Sequence, residues 1–292
     1  MKKYLLLAVF VNVGIASFAQ EFQGMAVYES KTSTSELMGQ VKIDGMTPDM
    51  QKMVEERMRK MFEKTFILNF DKTASIYKEE EKLDAPGQEN QGRRFMSSMM
   101  GGGGTYYKNV KDKMFTVDRE FMGKEFLVKD SLPKMEWKME GESRQIGGYT
   151  CYKATAVKPV SKSDIRNLRP KKKDEKATET EKPAATSTNF MDQFEMPEEV
   201  LITAWYAPEI PVSQGPEGYY GLPGLILEVN DGKTVILCSK VVLNPKEKAN
   251  IKAPTKGKVV TQAEYDKIMV EKMQEMQQMN SGPGGTTIRI GG

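Results

Sequence analysis

Residues 225–238 read Leu-Ile-Leu-Glu-Val-Asn-Asp-Gly-Lys-Thr-Val-Ile-Leu-Cys, a pattern that predicts a β-hairpin. Two apolar runs flank an Asp-Gly pair, which is the strongest short-range signal for a two-residue hairpin turn. On that turn, Leu227 should face Ile236, and Leu225 should face Cys238. Because both runs are continuously apolar, both faces of the hairpin should be covered, which places it near the centre of the domain.

Similar strand signals recur on the N-terminal side of this hairpin. Short segments of alternating apolar residues, separated by turn residues, are typical of an antiparallel sheet. The predicted strands cover residues 27–28, 41–43, 66–70, 74–77, 106–107, 113–117, 121–129, 137–142, 149–156 and 200–206. The sequence therefore predicts a curved antiparallel β-sheet.

Two amphipathic helices are predicted beside the sheet. Thr47 before Pro48 is a capped helix start, and it predicts a helix over residues 47–64 whose methionine face lies on the sheet. Thr261 and Glu264 form a capping box that predicts a second helix over residues 262–279. The expected apolar stripes are Met50, Met53, Val54, Met61 and Phe62 on the first helix, and Tyr265, Ile268, Met269, Met273, Met276 and Met279 on the second. The predicted fold class is α+β, a half-barrel sheet with two helices packed against it.

The N-terminus has the pattern of a secretory signal peptide. Lys2 and Lys3 precede an apolar stretch over residues 5–13, and small residues lead up to Ala19. We expect cleavage after Ala19, which would place the mature protein in the periplasm or at the cell surface. The mature chain has no apolar run long enough to span a membrane, so we expect no transmembrane segment in it.

Composition divides the mature chain into one β-rich domain and two polar segments. Residues 158–197 include a lysine-rich run and a Thr/Glu/Ala/Pro stretch without apolar periodicity, which predicts a disordered charged insertion. Residues 20–157 and 198–280 form the two parts of the domain, and residues 281–292 form a flexible glycine-rich tail.

Several kinds of chemistry are excluded by composition. The chain contains no histidine, which removes Ser-His-Asp and Cys-His catalysis and histidine-ligated zinc. Its 43 basic and 40 acidic residues are nearly balanced once the two signal lysines are removed, so no long-range field attracts nucleic acid. We expect a protein that is not an enzyme and that binds neither a cofactor nor nucleic acid.

Cysteine and methionine usage leaves alternatives open. Cys151 and Cys238 either form a disulfide in an oxidising compartment or are small buried side chains on separate strands. The chain has 21 methionines, whose thioethers either pack amphipathic faces and contact an apolar ligand, or serve as soft ligands for copper(I). The copper(I) set would be Met96, Met99, Met100, Met273 and Met276.

Residues 204–216 read Ala-Trp-Tyr-Ala-Pro-Glu-Ile-Pro-Val-Ser-Gln-Gly-Pro, and residues 221–226 read Gly-Leu-Pro-Gly-Leu-Ile. Together these segments resemble the GLPGLI family of exported Bacteroidetes proteins. Trp137 and residues 147–154 extend the resemblance, which covers roughly residues 22–242. It implies an envelope protein and, because that family is uncharacterised, it implies no functional residues. The strand order also resembles the half-barrel of lipoprotein carrier proteins.

The Pro- and Gly-rich segment over residues 208–224, hereafter the Pro/Gly segment, is the candidate binding element. It either forms a binding lip or closes one end of the sheet with Tyr219 and Leu222 packed beneath it. The residues expected to contact a ligand or partner are Trp137, Trp205, Tyr206, Glu209, Tyr219, Tyr220, Leu222 and Pro223.

The function that we expect is a non-enzymatic periplasmic or envelope binding or carrier protein for an apolar ligand, held on the concave face of the sheet. One alternative is an accessory partner of an outer-membrane transport or secretion system that docks through the Pro/Gly segment. Another is a methionine-rich copper(I)-binding protein.

Overall fold

The computed structural model describes residues 22–33, 47–80, 104–167, 169–170 and 194–280. The predicted signal peptide, the predicted strand at 41–43, most of the predicted insertion and the predicted tail lie outside the described residues, as do Met96, Met99 and Met100. Within the described ranges, no helix is both long and apolar enough to cross a membrane.

Twelve strands among the described residues form one open sheet. The strands in chain order are β1 Gly24–Thr32, β2 Glu63–Phe70, β3 Ala74–Glu79, β4 Thr105–Asn109, β5 Met114–Phe121, β6 Lys124–Ser131, β7 Lys138–Ile146, β8 Tyr149–Pro159, β9 Arg169–Pro170, β10 Phe194–Glu195, β11 Glu199–Ala207, β12 Leu225–Asn230, β13 Thr234–Leu243 and β14 Lys258–Val260. The sheet order is β14-β6-β5-β4-β3-β2-β1-β13-β12-β11-β8-β7, and β9 pairs separately with β10. Every neighbouring pair is antiparallel except β14 with β6.

The core lies mainly on one face of this sheet, which we call the inner face. Alternation along β1 and β2 places Tyr28, Leu68 and Phe70 there, and all three are fully buried. Burying side chains of this size contributes about 1.5–3 kcal/mol each, so these strands carry much of the stability. A second, smaller cluster joins β5 and β6 to the C-terminal helix through Phe115, Val117, Phe121, Phe126, Val128, Tyr265 and Met269.

Two helices complete the fold, α1 over Pro48–Phe62 and α2 over Gln262–Asn280. The Thr47 hydroxyl accepts a hydrogen bond from the Met50 backbone N–H at 3.3 Å, as the predicted cap requires. The capping box of α2 is also present: the Thr261 N–H donates to Glu264 at 2.7 Å, and the Glu264 N–H donates to Thr261 Oγ1 at 3.2 Å. The predicted α+β fold class is confirmed.

The predicted methionine face of α1 is wrong in part. Met50 and Met53 are 53% and 54% exposed, so they do not lie on the sheet. The half-buried positions of α1 include Val54 and Phe62. Because α1 runs directly into β2 at Glu63, its orientation is set by that strand, and its first turns point their methionines to solvent.

The β12–β13 hairpin forms, but its register differs from the prediction by two residues. Val229 pairs with Ile236, so the predicted pairing of Leu227 with Ile236, and with it that of Leu225 with Cys238, is wrong. The reason is that the Asp231 carboxylate accepts hydrogen bonds from the backbone N–H groups of residues 233 and 234, at 3.0 and 2.6 Å, which makes residues 232–233 the centre of the turn. A two-residue shift keeps each side chain on its face.

Residues 158–167 are built into the fold, so the predicted disordered insertion does not begin at residue 158. Residues 158–159 complete β8, and Ile165–Asn167 form a short 3-10 helix. Arg166 in this segment forms ion pairs with Asp164 and with the distant Glu217. The ion pair between Arg166 and Glu217 joins residues 51 positions apart, so no local periodicity in the sequence could predict that this segment is ordered.

Candidate functional site

A cavity of about 500 Å³ lies on the inner face of the sheet. It is bounded by strands β1–β6, by residues 158–167, and by the first turn of α2. This volume is within the range of about 300–1,000 Å³ that is typical of small-molecule sites. The cavity is therefore the candidate functional site.

The apolar wall of the cavity follows from strand register. Tyr77 on β3 lies opposite Tyr106 on β4, and Tyr106 lies opposite Val117 on β5, so their side chains form one row across three strands. Phe66 stacks on Tyr77 with ring centroids 4.6 Å apart, and Tyr106 stacks in the same way on Phe115 at 5.4 Å. The row and the rings stacked on it form a mainly aromatic wall of the cavity.

A half-buried charge cluster forms the facing wall. The Arg166 guanidinium donates to Asp164 through Nε and Nη2, both at 2.8 Å, and to Glu217 through Nη1 at 2.8 Å. Burial by itself would raise the pKa of Asp164, but the charge and hydrogen bonds of Arg166 outweigh it and lower that pKa to about 2. The same balance lowers the pKa of Glu217. Two carboxylates therefore share one guanidinium and both stay ionised at neutral pH.

Lys158 lies beside this cluster and also lines the cavity. Its Nζ is 4.7 Å from the centroid of the Tyr219 ring, a cation–π contact. Burial acts to lower the pKa of Lys158, but Tyr219, Glu217 and Asp164 together outweigh it and raise the pKa. The ammonium group therefore stays charged at the cavity wall.

Two tyrosines of the cavity have buried hydroxyls without a hydrogen-bond partner among the described residues. Tyr77 and Tyr265 are only 3% and 2% exposed, and both line the cavity. Leaving such a group unpaired costs about 1–3 kcal/mol. Each hydroxyl oxygen has almost no accessible area, so it faces packed protein atoms and not the open part of the cavity.

A polar cluster ties α2 to the cavity. Asp266 accepts hydrogen bonds from Ser161 at 2.9 Å, from Ser163 at 2.7 Å and from the Gln262 side chain at 2.7 Å. These four side chains all line the cavity. The first turn of α2 is thereby held against residues 161–163 along one side of the site.

Lys108 on β4 supports the Pro/Gly segment from beneath. The residue is fully buried, and its Nζ donates to the backbone carbonyls of Gly215 and Glu217, the latter at 2.8 Å. Burial lowers the pKa of Lys108 to about 7, although the charge of Glu217 acts in the opposite direction. A lysine near half-protonation at neutral pH therefore lies under one wall of the cavity.

Because of this lowered pKa, Lys108 should make the stability of the protein rise with pH. Between about pH 7 and pH 10.5 the unfolded chain binds a proton at this lysine that the folded chain does not, so the free energy of unfolding increases by at most about 1.4 kcal/mol per pH unit. Urea unfolding of wild type and Lys108→Met at pH 7.0 and about pH 8.5, below the ordinary titration range of tyrosine, measures the difference. If the free energy of unfolding of the two proteins changed equally with pH, the lowered pKa of Lys108 would be contradicted.

Most of the residues predicted to contact a ligand or partner lie outside the cavity lining. Of the eight, only Tyr219 lines the cavity, and both it and Leu222 are buried, as expected if the Pro/Gly segment closes one end of the sheet. Trp205 and Tyr206 are buried in the larger apolar cluster, where Arg144 lies 4.1 Å from the Trp205 ring centroid.

The other four predicted residues also lie away from the cavity. Trp137 donates from Nε1 to the Tyr220 carbonyl at 2.8 Å, and the Tyr220 hydroxyl donates to the Pro133 carbonyl at 3.0 Å. Glu209 accepts from the Thr150 N–H at 2.9 Å, and Pro223 is exposed. These contacts join the Pro/Gly segment to β8 and to residues 133–137, which precede β7.

The residues that do form the site were missed from sequence. They include Tyr77, Tyr106, Lys158, Arg166 and Tyr265, which come from three strands, a segment predicted to be disordered, and a helix. Glu217 lies in the Pro/Gly segment but was not among the residues predicted to contact a ligand or partner. Local patterns identified several of their elements but not the face or the cavity on which the side chains meet.

The cysteines and methionines give no site among the described residues. Cys151 and Cys238 are free and buried, which agrees with the alternative of separate buried thiols, and burial raises their pKa values to about 11 and about 12. Within the described part of the chain, no group of three or more Cys, Asp or Glu residues could hold a metal ion. Copper(I) binding by thioethers stays a prediction, since Met273 is half-buried and the side chain of Met276 is not described.

Comparison with protein families gives one match. The family described as "Protein of unknown function (Porph_ging)" matches residues 137–228, which is less than half of the chain. These residues contain Trp137 and the segments on which the resemblance to GLPGLI proteins rests. A search of curated proteins found no match.

Comparison with solved structures gives only weak likenesses. Two structures of PNGF-II, in space groups C2 and P21, match with 15% identity and TM-scores of 0.45 and 0.44. Each match covers 86% of this chain and 33% of the PNGF-II chain, so this chain spans about a third of the length of those proteins. The Mycobacterium tuberculosis lipoprotein LppX matches with 10% identity and a TM-score of 0.25, over 85% of this chain and 98% of LppX. Likenesses at this level support no argument about function.

Proposed function

We propose that this protein is an exported, non-enzymatic binding or carrier protein that holds an apolar ligand in the cavity of the inner face. The observation that carries the proposal is the cavity of about 500 Å³ with its wall of stacked aromatic side chains. An apolar ligand would bury its surface against the aromatic row.

The charges in the cavity wall favour binding over catalysis. General acid–base chemistry needs a group whose pKa lies near the working pH. Asp164 has a pKa of about 2, and the pKa of Glu217 is lowered as well, so both carboxylates are held as ion-pair partners of Arg166. The cluster therefore fixes the shape of the wall without offering a proton donor.

Export is supported by the pattern of residues 1–19, in which two lysines precede a short apolar stretch and small residues end at Ala19. We therefore propose the periplasm or the cell surface as the place where the ligand is met. Native mass spectrometry of protein purified gently from that compartment tests the proposal directly. We expect a reproducible added mass in the lipid range, and a clean ligand-free mass would count against it.

Filling the cavity should abolish binding of an apolar dye. Thr32, near the end of β1, lines the cavity, whereas Lys31 beside it points to the opposite face and is exposed. Thr32→Trp should therefore weaken the binding of Nile red, an uncharged apolar dye, by about tenfold or more, since an apolar pocket is lost. Lys31→Trp is the matched control and should bind as wild type does. Fluorescence titration measures both, and equal affinities for the dye would contradict the location of the site.

A further inference from the structure

The polar cluster at the first turn of α2 is the part of the lining that a bound molecule can reach with hydrogen bonds. It consists of Ser161, Ser163, Gln262 and Asp266, which all line the cavity. None of the four is fully buried, so each keeps accessible area, whereas the tyrosine hydroxyls of the cavity have almost none. The cluster therefore marks the polar end of the site.

The two carboxylate oxygens of Asp266 are used unequally. Oδ1 accepts from Ser161 at 2.9 Å, from Ser163 at 2.7 Å and from the Gln262 side chain at 2.7 Å. Among the described residues, Oδ2 accepts only from Ser161, at 3.0 Å. An ionised carboxylate has about two acceptor sites on each oxygen, so Oδ2 has capacity for one more donor.

The charges of the lining favour a head group that carries no charge. Arg166 binds Asp164 and Glu217 at 2.8 Å, and the charges of these two carboxylates also act on Lys158. At the polar cluster, an anionic head would face Asp266 as a like charge, and a cationic head would face the positive end of the α2 dipole. Moving an ionised group out of water is costly unless an opposite charge pairs with it, so ions of either sign are disfavoured.

From these contacts we infer that the ligand is an uncharged long-chain amphiphile whose hydroxyl group donates to Oδ2 of Asp266. The inference rests on the proposed function, and it adds the chemical class and the orientation of the ligand. A hydroxyl leaves water at much lower cost than an ion does. Its hydrogen bond to a carboxylate is charge-assisted, and is therefore stronger than a bond between neutral groups.

The apolar chain of such a ligand has a path away from the polar cluster. Tyr265, next to Asp266 on α2, packs with Phe115 in the smaller apolar cluster. Phe115 stacks on Tyr106 at 5.4 Å, and Tyr106 lies opposite Tyr77 on the neighbouring strand. These four aromatic residues all line the cavity, so the chain would follow them from β5 toward β3.

Four probes with the same chain test the inference: decanol, decyl methyl ether, decanoic acid and decylamine. Displacement of Nile red near neutral pH measures the affinity of each. We expect decanol to bind about tenfold tighter than the ether, because only the alcohol donates a hydrogen bond. Decanol should also bind about tenfold tighter than the acid and the amine, which are ionised at this pH and lose their hydration.

Asp266→Asn tests the contact itself. The variant keeps the shape of the side chain and removes the carboxylate charge, so it should weaken binding of decanol by about tenfold and leave the ether unchanged. Unchanged affinity for the ether shows that the cavity is still formed. Glu271→Gln is the matched control, since it removes the same charge from an exposed position of α2, and it should leave both affinities unchanged.

Three results would overturn the inference: equal affinities for decanol and the ether, tighter binding of the acid or the amine than of decanol, or wild-type affinity for decanol in Asp266→Asn. If Nile red binds and none of the four probes displaces it, the inference fails and the proposed function stands. If Nile red does not bind and the purified protein carries no added mass, the proposed function fails, and the inference fails with it.

Discussion

Gly224→Ala should lower the free energy of unfolding by about 3 kcal/mol or more, because an added methyl group would overlap the backbone. A Cβ at this position would overlap the carbonyl of Ala207 and lie 2.7 Å from the Pro208 nitrogen. Backbone atoms cannot rotate away as a side chain can. They are also held here, since the Ile210 N–H donates to the Ala207 carbonyl at 3.1 Å and the Leu225 N–H to the Ile210 carbonyl at 3.0 Å.

Urea unfolding of the purified variant measures this loss, and Gly141→Ala is the control. Gly141 lies on β7, where an added Cβ would meet nothing within 4 Å and the backbone is not in the left-handed region. That variant should stay within about 0.5 kcal/mol of wild type, as surface substitutions usually do. A similarly small effect of Gly224→Ala would show that the Pro/Gly segment is not packed as described.

Arg166→Met should destabilise the protein by about 3 kcal/mol, because it leaves two carboxylates without their shared cation. Asp164 and Glu217 would then lie close together in a site of low polarity, with Lys158 as the nearest remaining positive charge. Breaking a buried ion pair usually lowers the free energy of unfolding by about 3–5 kcal/mol. We expect a loss at the lower end of that range, since about a quarter of the Arg166 side chain is accessible to solvent, which screens the charges.

Neutralising the whole cluster distinguishes stranded charge from lost packing. The triple variant Asp164→Asn, Arg166→Met, Glu217→Gln removes both carboxylate charges together with the guanidinium, so it should recover about half or more of the stability lost in Arg166→Met. The same urea unfolding measures both variants at neutral pH. If the triple variant were as unstable as Arg166→Met, packing of the Arg166 side chain would explain the loss, and the charge argument would be wrong.

Both predictions concern walls of the same cavity. Gly224 fixes the C-terminal end of the Pro/Gly segment, which contributes Glu217 and Tyr219 to the lining, and Arg166 joins that segment to residues 158–167. The carbonyl contacts of Lys108 hold the segment from below. The shape of this cavity wall therefore depends on contacts that also stabilise the fold.

Local patterns in the sequence were sufficient to predict most of the strands and both helices; β9, β10 and β14 were not predicted. Phe66, Leu68 and Phe70 alternate along β2. Thr47 caps α1, and the Thr261–Glu264 capping box begins α2. Each of these signals spans only a few neighbouring residues, so the sequence alone was enough for the α+β class. The hairpin at Asp231 was also found, and only its register was off, because the choice of turn centre depends on which backbone N–H groups the Asp231 carboxylate accepts.

Only the tertiary structure decided where the candidate site lies. Composition singled out Trp137, Trp205 and Tyr206 as binding residues, but the packing places none of them in the cavity lining. Arg166 and Glu217 are 51 positions apart in the chain, and Tyr77 lines the same cavity from β3. A contact between residues this far apart depends on how strands are ordered and paired across the sheet, and one sequence carries no local periodicity from which that order follows. For this physical reason most of the elements could be predicted from local patterns, whereas the position of the cavity and the residues that line it depend on the assembled sheet.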